Sequence, residues 1–333
     1  MRLLAVDDSA IVRDLLFRLF QKSGYPEMRL AEDGETALAM IDGPGAQFDC
    51  FLLDIEMPGM SGIELCARIR SRPEHRDTPI IMLTALKDAE TIENAFAAGA
   101  NDYIVKRFDV KEFTGRLRVA ERLLSRPAPV RIIPSFSPKA RARVGRDVGR
   151  HAFTPEDELM VAGVDRLIPP FSLGNYLSQL PSGALGAASL VAVRIERVDA
   201  VHGATSGTDF ATLLAAVALG IQDTLDSRKL LMTYAGSGDF VCILRDGQVP
   251  PPAEFEHELG RYLEHFAEMS GLEVLNQLQL TAGTPVPPFA NRTQRVRRSF
   301  ERARERAHAQ SLAKRATRRP PQAARFEKRA SGL

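Results

Sequence analysis

At 333 residues, with 44% apolar and 26% charged residues and a net charge of +2, the chain has the make-up of an ordinary globular protein with room for two domains. Cys50, Cys66 and Cys242 are odd in number, widely spaced and without a CxxC pair, which excludes a disulfide scaffold and reads as reduced, buried thiols. No apolar run reaches membrane-spanning length and the first strand starts at once, with no signal peptide before it, so a cytoplasmic protein is expected.

The runs Met1-RLLAV, Cys50-FLL, Pro79-IIML and Tyr103-IV are short and rich in Leu, Ile and Val, as in parallel strands buried on both faces. Amphipathic helices alternate with them. The first follows Ser9, an N-cap residue type, carries Ile11, Val12, Leu15, Leu16, Leu19 and Phe20, and stops at Gly24. The second follows Gly34, the third follows the Met57-PGMSG turn, the fourth covers roughly Ala89 to Ala98, and the fifth begins near Asp109. This rhythm over residues 1–125 predicts an α/β domain: a doubly wound, flavodoxin-like sheet of five parallel strands in the order 2-1-3-4-5.

From residue 126 to 154, Pro127, Pro129, Pro134 and Pro138 are interleaved with Arg131, Lys139, Arg141, Arg143, Arg146 and Arg150, the texture of a basic, partly extended spacer. A second, α+β domain is expected over residues 155–310. Its strands are Ser189-LVAVRI, Lys229-LLMTY, Phe240-VCIL and Leu278-QLTAG. Helices run over Asp209–Leu225, Ala253–Met269 and Phe300–Ala309, and a tight hairpin turn sits at Gly236-SGD. Residues 311–333 form a basic tail. Arginines and lysines crowd the chain beyond Asn291 against only Glu301, Glu305 and Glu327, which reads as a solvated helix face running into disorder. The six histidines show no metal-ligand spacing and read as surface or turn residues.

Polar side chains punctuate the strands of the first domain. Asp7 and Asp8, Asp54, Thr84 and Lys106 each lie at or just past the end of an apolar run, so the sheet brings them to one edge. Clustered carboxylates repel one another unless a cation sits among them, and hard oxygen ligands suit Mg2+. With such an ion, one Asp can act as a nucleophile toward phosphorus, while the Lys106 ammonium and Thr84 hydroxyl offset charge on the transferred group. Ala85 is small enough to let a phospho-donor approach.

These stretches, Val6-DDS, Leu53-DIEMPGMSG, Ile81-MLTA and Tyr103-IVKRF, resemble the receiver domain of two-component response regulators. The resemblance implies that Asp54 accepts a phosphoryl group from a histidine kinase or phosphotransfer protein. It also implies that Asp7, Asp8, Asp54 and the Glu56 backbone carbonyl hold Mg2+, that Lys106 pairs with the acceptor, and that Thr84 and Tyr103 form the switch. One departure is Arg107 after Lys106, where receivers usually carry Pro with a cis peptide.

Residues from about Asp165 to Ala309 resemble a GGDEF domain, the diguanylate cyclase fold, through Asp165-RLIPPFSLGNYL, Leu190-VAVRIERVDAVHG, Tyr234-AGSGDFVCIL, Leu280-TAGTPVP and Phe300-ERARERA. In that family two carboxylates hold metal ions on the GTP triphosphate. Here Arg194 stands at the first-strand carboxylate position, and Gly236-Ser237-Gly238-Asp239-Phe240 replaces the signature, leaving Gly238 at the second ligand. His202 stands where the family reads guanine, and Ser227-RKLL replaces the inhibitory cyclic di-GMP motif. The resemblance therefore implies a catalytically inactive output domain acting through a protein partner or a homodimer, with Arg194 free to contact a phosphate. The alternatives are an active diguanylate cyclase making cyclic di-GMP from GTP and a nucleotide or nucleic-acid receptor using the basic tail.

Overall fold

The computed structural model describes residues 1–85, 88–106, 109–126, 130–138, 147–225 and 227–318. Arg107, linker residues Lys139, Arg141, Arg143 and Arg146, and the tail beyond 318 lie outside the described residues.

The first domain alternates β1 (Leu3–Val6), α1 (Ala10–Ser23), β2 (Met28–Ala31), α2 (Gly34–Ile41), β3 (Cys50–Asp54), α3 (Gly62–Arg70), β4 (Ile80–Thr84), α4 (Ala89–Ala97), β5 (Asp102–Val105) and α5 (Val110–Leu124). The strands are parallel in the order β2-β1-β3-β4-β5, as expected. Alternate residues along each strand feed two layers. Leu3, Ala5, Leu52 and Leu83 meet Leu16, Phe20 and Phe113 of α1 and α5. Leu4, Val6, Phe51, Leu53 and Met82 meet α2, α3 and α4. Asp33, Ser61, Asp88 and Asp109 each accept a backbone N–H at a helix start. Ser9 occupies the cap position of α1 but its hydroxyl makes no capping bond.

The second domain holds β7 (Leu159–Val161), α6 (Pro170–Gln179), α7 (Ser182–Gly186), β8 (Ala188–Ile195), α8 (Val198–Gly203), α9 (Gly207–Thr224), β9 (Leu230–Tyr234), β10 (Asp239–Arg245), α10 (Pro252–Ser270), β11 (Leu280–Ala282) and α11 (Arg295–Arg318). Its four-stranded antiparallel sheet runs β11-β8-β10-β9, a split β-α-β arrangement. Val191, Val193, Ile195 and Cys242 pack under α9 and α10. Leu190, Ala192, Leu231, Val241 and Ile243 face α6 and α11, and this layer is continuous with the core beneath α4. All three cysteines are buried and free, as expected.

Three expectations need correction. The stretch read as a spacer is docked on the second domain: β6 (Val130–Ile132) pairs in parallel with β7, and the Ser135 N–H donates to Thr212 Oγ1 at 2.9 Å. The terminal helix is longer than Phe300–Ala309 and is not simply solvated. Ala303, Ala307 and Ser311 are buried on its inner face. Arg304 reaches Asp239 at 2.8 Å and Arg315 reaches Glu196 at 2.7 Å, while Lys314 pairs with Glu256. The histidines are not all superficial. His75 is buried beside Phe51, and His151 stacks on His202 with ring centroids 3.5 Å apart.

Candidate functional site

The sheet order places the C-terminal ends of β1, β3, β4 and β5 along one edge, and the sequence-predicted set meets there. Asp7 and Asp54 are buried, and Asp8 is exposed beside them. Suitable ligand oxygens of these three carboxylates all lie within 4.8 Å of one another. Lys106 Nζ lies 2.9 Å from Asp7 Oδ2 and 2.6 Å from Asp54 Oδ2. Its backbone N–H donates to Thr84 O at 2.7 Å, which ties the lysine to the buried threonine on the adjacent strand. Arg13 fixes the acidic turn by donating to the carbonyls of Asp7 at 2.8 Å and Asp8 at 2.9 Å. Ala85 and Glu56 are exposed at the rim, and the Glu56 N–H donates to Asp54 Oδ1 at 3.4 Å.

Gly62 holds the acceptor strand close. A Cβ there would sit 1.9 Å from the Asp54 carbonyl oxygen, while the Gly62 N–H donates to Ile55 O at 3.0 Å. The electrostatics are strained in one sense. Burial, reinforced by Asp7, pushes the Asp54 carboxyl above its usual range despite Lys106. Burial pulls the Lys106 ammonium down, but pairing with Asp54 and Asp7 outweighs it and the net shift is upward. Oδ2 of Asp7 and of Asp54 face the Lys106 ammonium, and the carboxylates keep further lone pairs for a cation. An all-oxygen donor set of this kind fits a small, hard divalent cation such as Mg2+.

The positions singled out in the second domain are arranged differently. Arg194 and Asp239 are cross-strand neighbours, and Arg194 Nη1 lies 2.7 Å from Asp239 Oδ1. With Arg304 on the other oxygen, the buried Asp239 is held by two guanidinium groups. Arg194 is thus committed to Asp239 rather than free to contact a phosphate. Gly238 (φ +82°) leaves no room for a side chain, since a Cβ would meet Ile195 O at 2.8 Å. The hairpin is also covered by the segment preceding β7. Ser237 N–H and the Tyr234 hydroxyl both donate to Pro155 O, at 2.6 and 2.8 Å, and a Cβ on Gly236 would meet Glu156 O at 2.3 Å. Phe240 is buried in the core, and His202 lies under His151 and Phe153.

Residues 3–118 match the family model described as the response regulator receiver domain. Transcriptional regulatory protein ResD of Bacillus subtilis is 41% identical over 124 residues, covering 37% of this chain and 49% of ResD. Chemotaxis protein CheY-3 of Vibrio cholerae is 38% identical over 124 residues, covering 37% of this chain and 94% of CheY-3. The chain belongs to the response regulator receiver family. It spans about half the length of ResD. Among solved structures, the response regulator TrrA of Thermotoga maritima in complex with Mg2+ and BeF is 38% identical, covering 36% of this chain and 97% of that one, with a TM-score of 0.32.

The receiver does not stand alone. Tyr103 is buried, and its hydroxyl donates to the carbonyl of Gln179 in the second domain at 3.1 Å. Burial pushes that phenol up to about 12. Glu93 of α4, fully buried, accepts from the Tyr176 hydroxyl at 2.5 Å and from Arg245 Nε at 2.9 Å. Asp102 is held by Arg116 of its own domain and by Gln179 of the other, and burial raises its carboxyl above the usual range. Asn94 accepts from Arg166, and Asn175 donates to Asn101 O. Sequence reasoning singled out Tyr103 but missed Glu93, Asp102, Tyr176 and Arg245. The available signal was Glu93 itself, sharing the apolar stripe Ala89, Ile92, Phe96 on α4.

Proposed function

We propose that this chain is a cytoplasmic response regulator in which Asp54 accepts a phosphoryl group from a histidine kinase or phosphotransfer protein, and that the second domain carries the output. The observation that supports it most is the Lys106 ammonium set between buried Asp7 and Asp54, 2.9 and 2.6 Å away, with Asp8 beside them. Asp7, Asp8, Asp54 and the Glu56 backbone carbonyl would hold Mg2+, which supplies charge neutralisation during transfer. An Asp54 oxygen attacks phosphorus, and the former leaving group departs opposite it. Lys106 stays paired with the new phosphate and Thr84 donates to it, so negative charge on the equatorial oxygens is met by protein groups.

Tyr103 and α4 are the route out of the site, because the second domain hydrogen-bonds both. Any inward movement of Tyr103 on phosphorylation must release the Gln179 carbonyl and loosen the docked face. The second domain is read as GGDEF-like and catalytically inactive, acting through a protein partner or a homodimer. The Arg194–Asp239–Arg304 cluster, Gly238 at the hairpin and the covering Pro155–Glu156 segment support that reading. Three cations of the basic helix, Arg304, Lys314 and Arg315, pair inward with Asp239, Glu256 and Glu196, so these three are engaged within the domain rather than offered to a nucleic acid. Treating the full chain with beryllofluoride and Mg2+ should raise amide exchange in α4 and α6 without any turnover of GTP. Production of cyclic di-GMP would instead establish the diguanylate cyclase alternative.

A further inference from the structure

The segment 147–157, just before β7, lies as a strap across the β9–β10 hairpin and the end of α8. Its Pro155 carbonyl accepts from the Ser237 N–H at 2.6 Å and from the Tyr234 hydroxyl at 2.8 Å. Ser237 sits at φ +55°, a left-handed conformation that residues other than glycine rarely take, so the strap supports a strained turn. The other end of the strap is fastened at α8. Gly149 N–H donates to Thr205 O at 2.9 Å, and His151 Nε2 donates to His202 O at 2.8 Å.

Between the two fastenings lies an aromatic box. His151 and His202 stack with ring centroids 3.5 Å apart, and Phe153 and Phe210 close its sides. A carbonyl only accepts, so His151 carries its proton on Nε2 and its Nδ1 is bare. That nitrogen is buried without a partner, and so is Nε2 of His202, whose other nitrogen hydrogen-bonds to the Phe153 backbone. Two neutral rings fit the box. A second proton on either ring would be a buried N–H with no acceptor. The start of α9 also opposes positive charge at the stack, because a Cβ on Gly207 would come within 3.9 Å of His151 Nδ1. Burial and His151 hold the His202 imidazole below its ordinary value, against Glu156 on the strap and Asp199 on α8, which favour the charged ring. On α9, the Asp209 carboxylate is bound by the Ser206 hydroxyl at 2.8 Å, and on the hairpin Asp239 is held by Arg194 and Arg304.

We propose that residues 147–157 form an acid-released strap with the stacked His151–His202 pair as its trigger: neutral rings hold it on the hairpin, and protonation frees it and bares the Gly236–Asp239 turn. In the released strap His202 meets water and regains its ordinary value, so docking is complete above the ordinary histidine range and weakens as pH falls through it. A ring that titrates at about pH 6.5 when free, and stays neutral when docked, shifts the open-to-closed ratio about tenfold between pH 7.5 and pH 5.5. The device does not involve Asp54, so release by acid and response to phosphorylation are separable.

The test is hydrogen exchange of the full chain at pH 7.5 and pH 5.5, expressed as protection relative to the unfolded rate at each pH. Protection over residues 147–157 and at the Ser237 amide should fall about tenfold or more at the lower pH, while α9 and α10 keep theirs. The double variant His151→Phe, His202→Phe keeps two stacked rings that cannot titrate, and it should lose this pH dependence. Ring NMR of the parent chain gives a second reading: His202 should become charged only as the Ser237 amide loses protection. Strap protection that does not change between the two pH values overturns the proposal. So does a loss shared equally by α9 and α10, a pH dependence that survives in the folded double variant, or a charged His202 beneath a strap that stays protected.

Discussion

Arg245→Met is the most informative single perturbation of the domain contact. Among the described residues, Arg245 is the one cation paired with Glu93 in the buried interface, at 2.9 Å through Nε and 3.4 Å through Nη2. Removing it leaves a fully buried carboxylate with only the Tyr176 hydroxyl for support. Breaking a buried pair in this way costs about 3–5 kcal/mol. If that cost falls on docking, the undocked population rises by about 10²–10⁴-fold. Adding Glu93→Leu removes the stranded charge but leaves the Tyr176 hydroxyl without its acceptor, a residual cost of about 1–3 kcal/mol. The triple variant with Tyr176→Phe should therefore return close to the parent, since replacing a buried pair by apolar groups is often neutral or better. Hydrogen exchange over α4 and α6, with urea midpoints alongside, reads both quantities. The reasoning fails if Arg245→Met leaves protection of the two helices unchanged, or if the triple variant is as costly as the single one.

Gly62→Ala places a methyl group 1.9 Å from the Asp54 carbonyl oxygen, so it should displace the acceptor loop and lower phosphorylation by acetyl phosphate more than it lowers helix content by circular dichroism. Burial and the neighbouring His151 hold the His202 imidazole below its ordinary value. The unfolded chain therefore takes up a proton that the folded chain refuses, and stability falls as pH drops below the ordinary histidine range. A melting-temperature series from pH 7.5 to pH 5.5 should show a smaller loss for His202→Gln than for the parent, beyond the share due to His75, which burial also lowers.

The receiver was legible because its strands are apolar on both faces and end on polar residues. Asp7, Asp54, Thr84 and Lys106 needed only the strand order to be brought together. The short strand Met28–Ala31 sits at the sheet edge, with Arg29 exposed, and carries no such run. The second sheet was legible from its hairpin, whose glycines take φ +77° and +82°. What stayed hidden depends on distant partners. The β6–β7 pair is three residues long and joins segments far apart in sequence. Helix α11 buries mostly small residues, Ser299, Ala303, Ala307 and Ser311, with Arg295 beside them and Phe300 half-buried, between long basic side chains, so its docked face has little apolar signal. Glu93 and Arg245 each look like surface residues until both domains are seen together.

Intact-mass and peptide mapping of the full chain after exposure to acetyl phosphate and Mg2+ tests the central claim most directly. A single phosphoryl group located on Asp54, not formed when EDTA replaces Mg2+ and absent from Asp54→Asn, is the predicted result. Phosphate on another residue, or none on a folded protein with Mg2+ in excess, would contradict it.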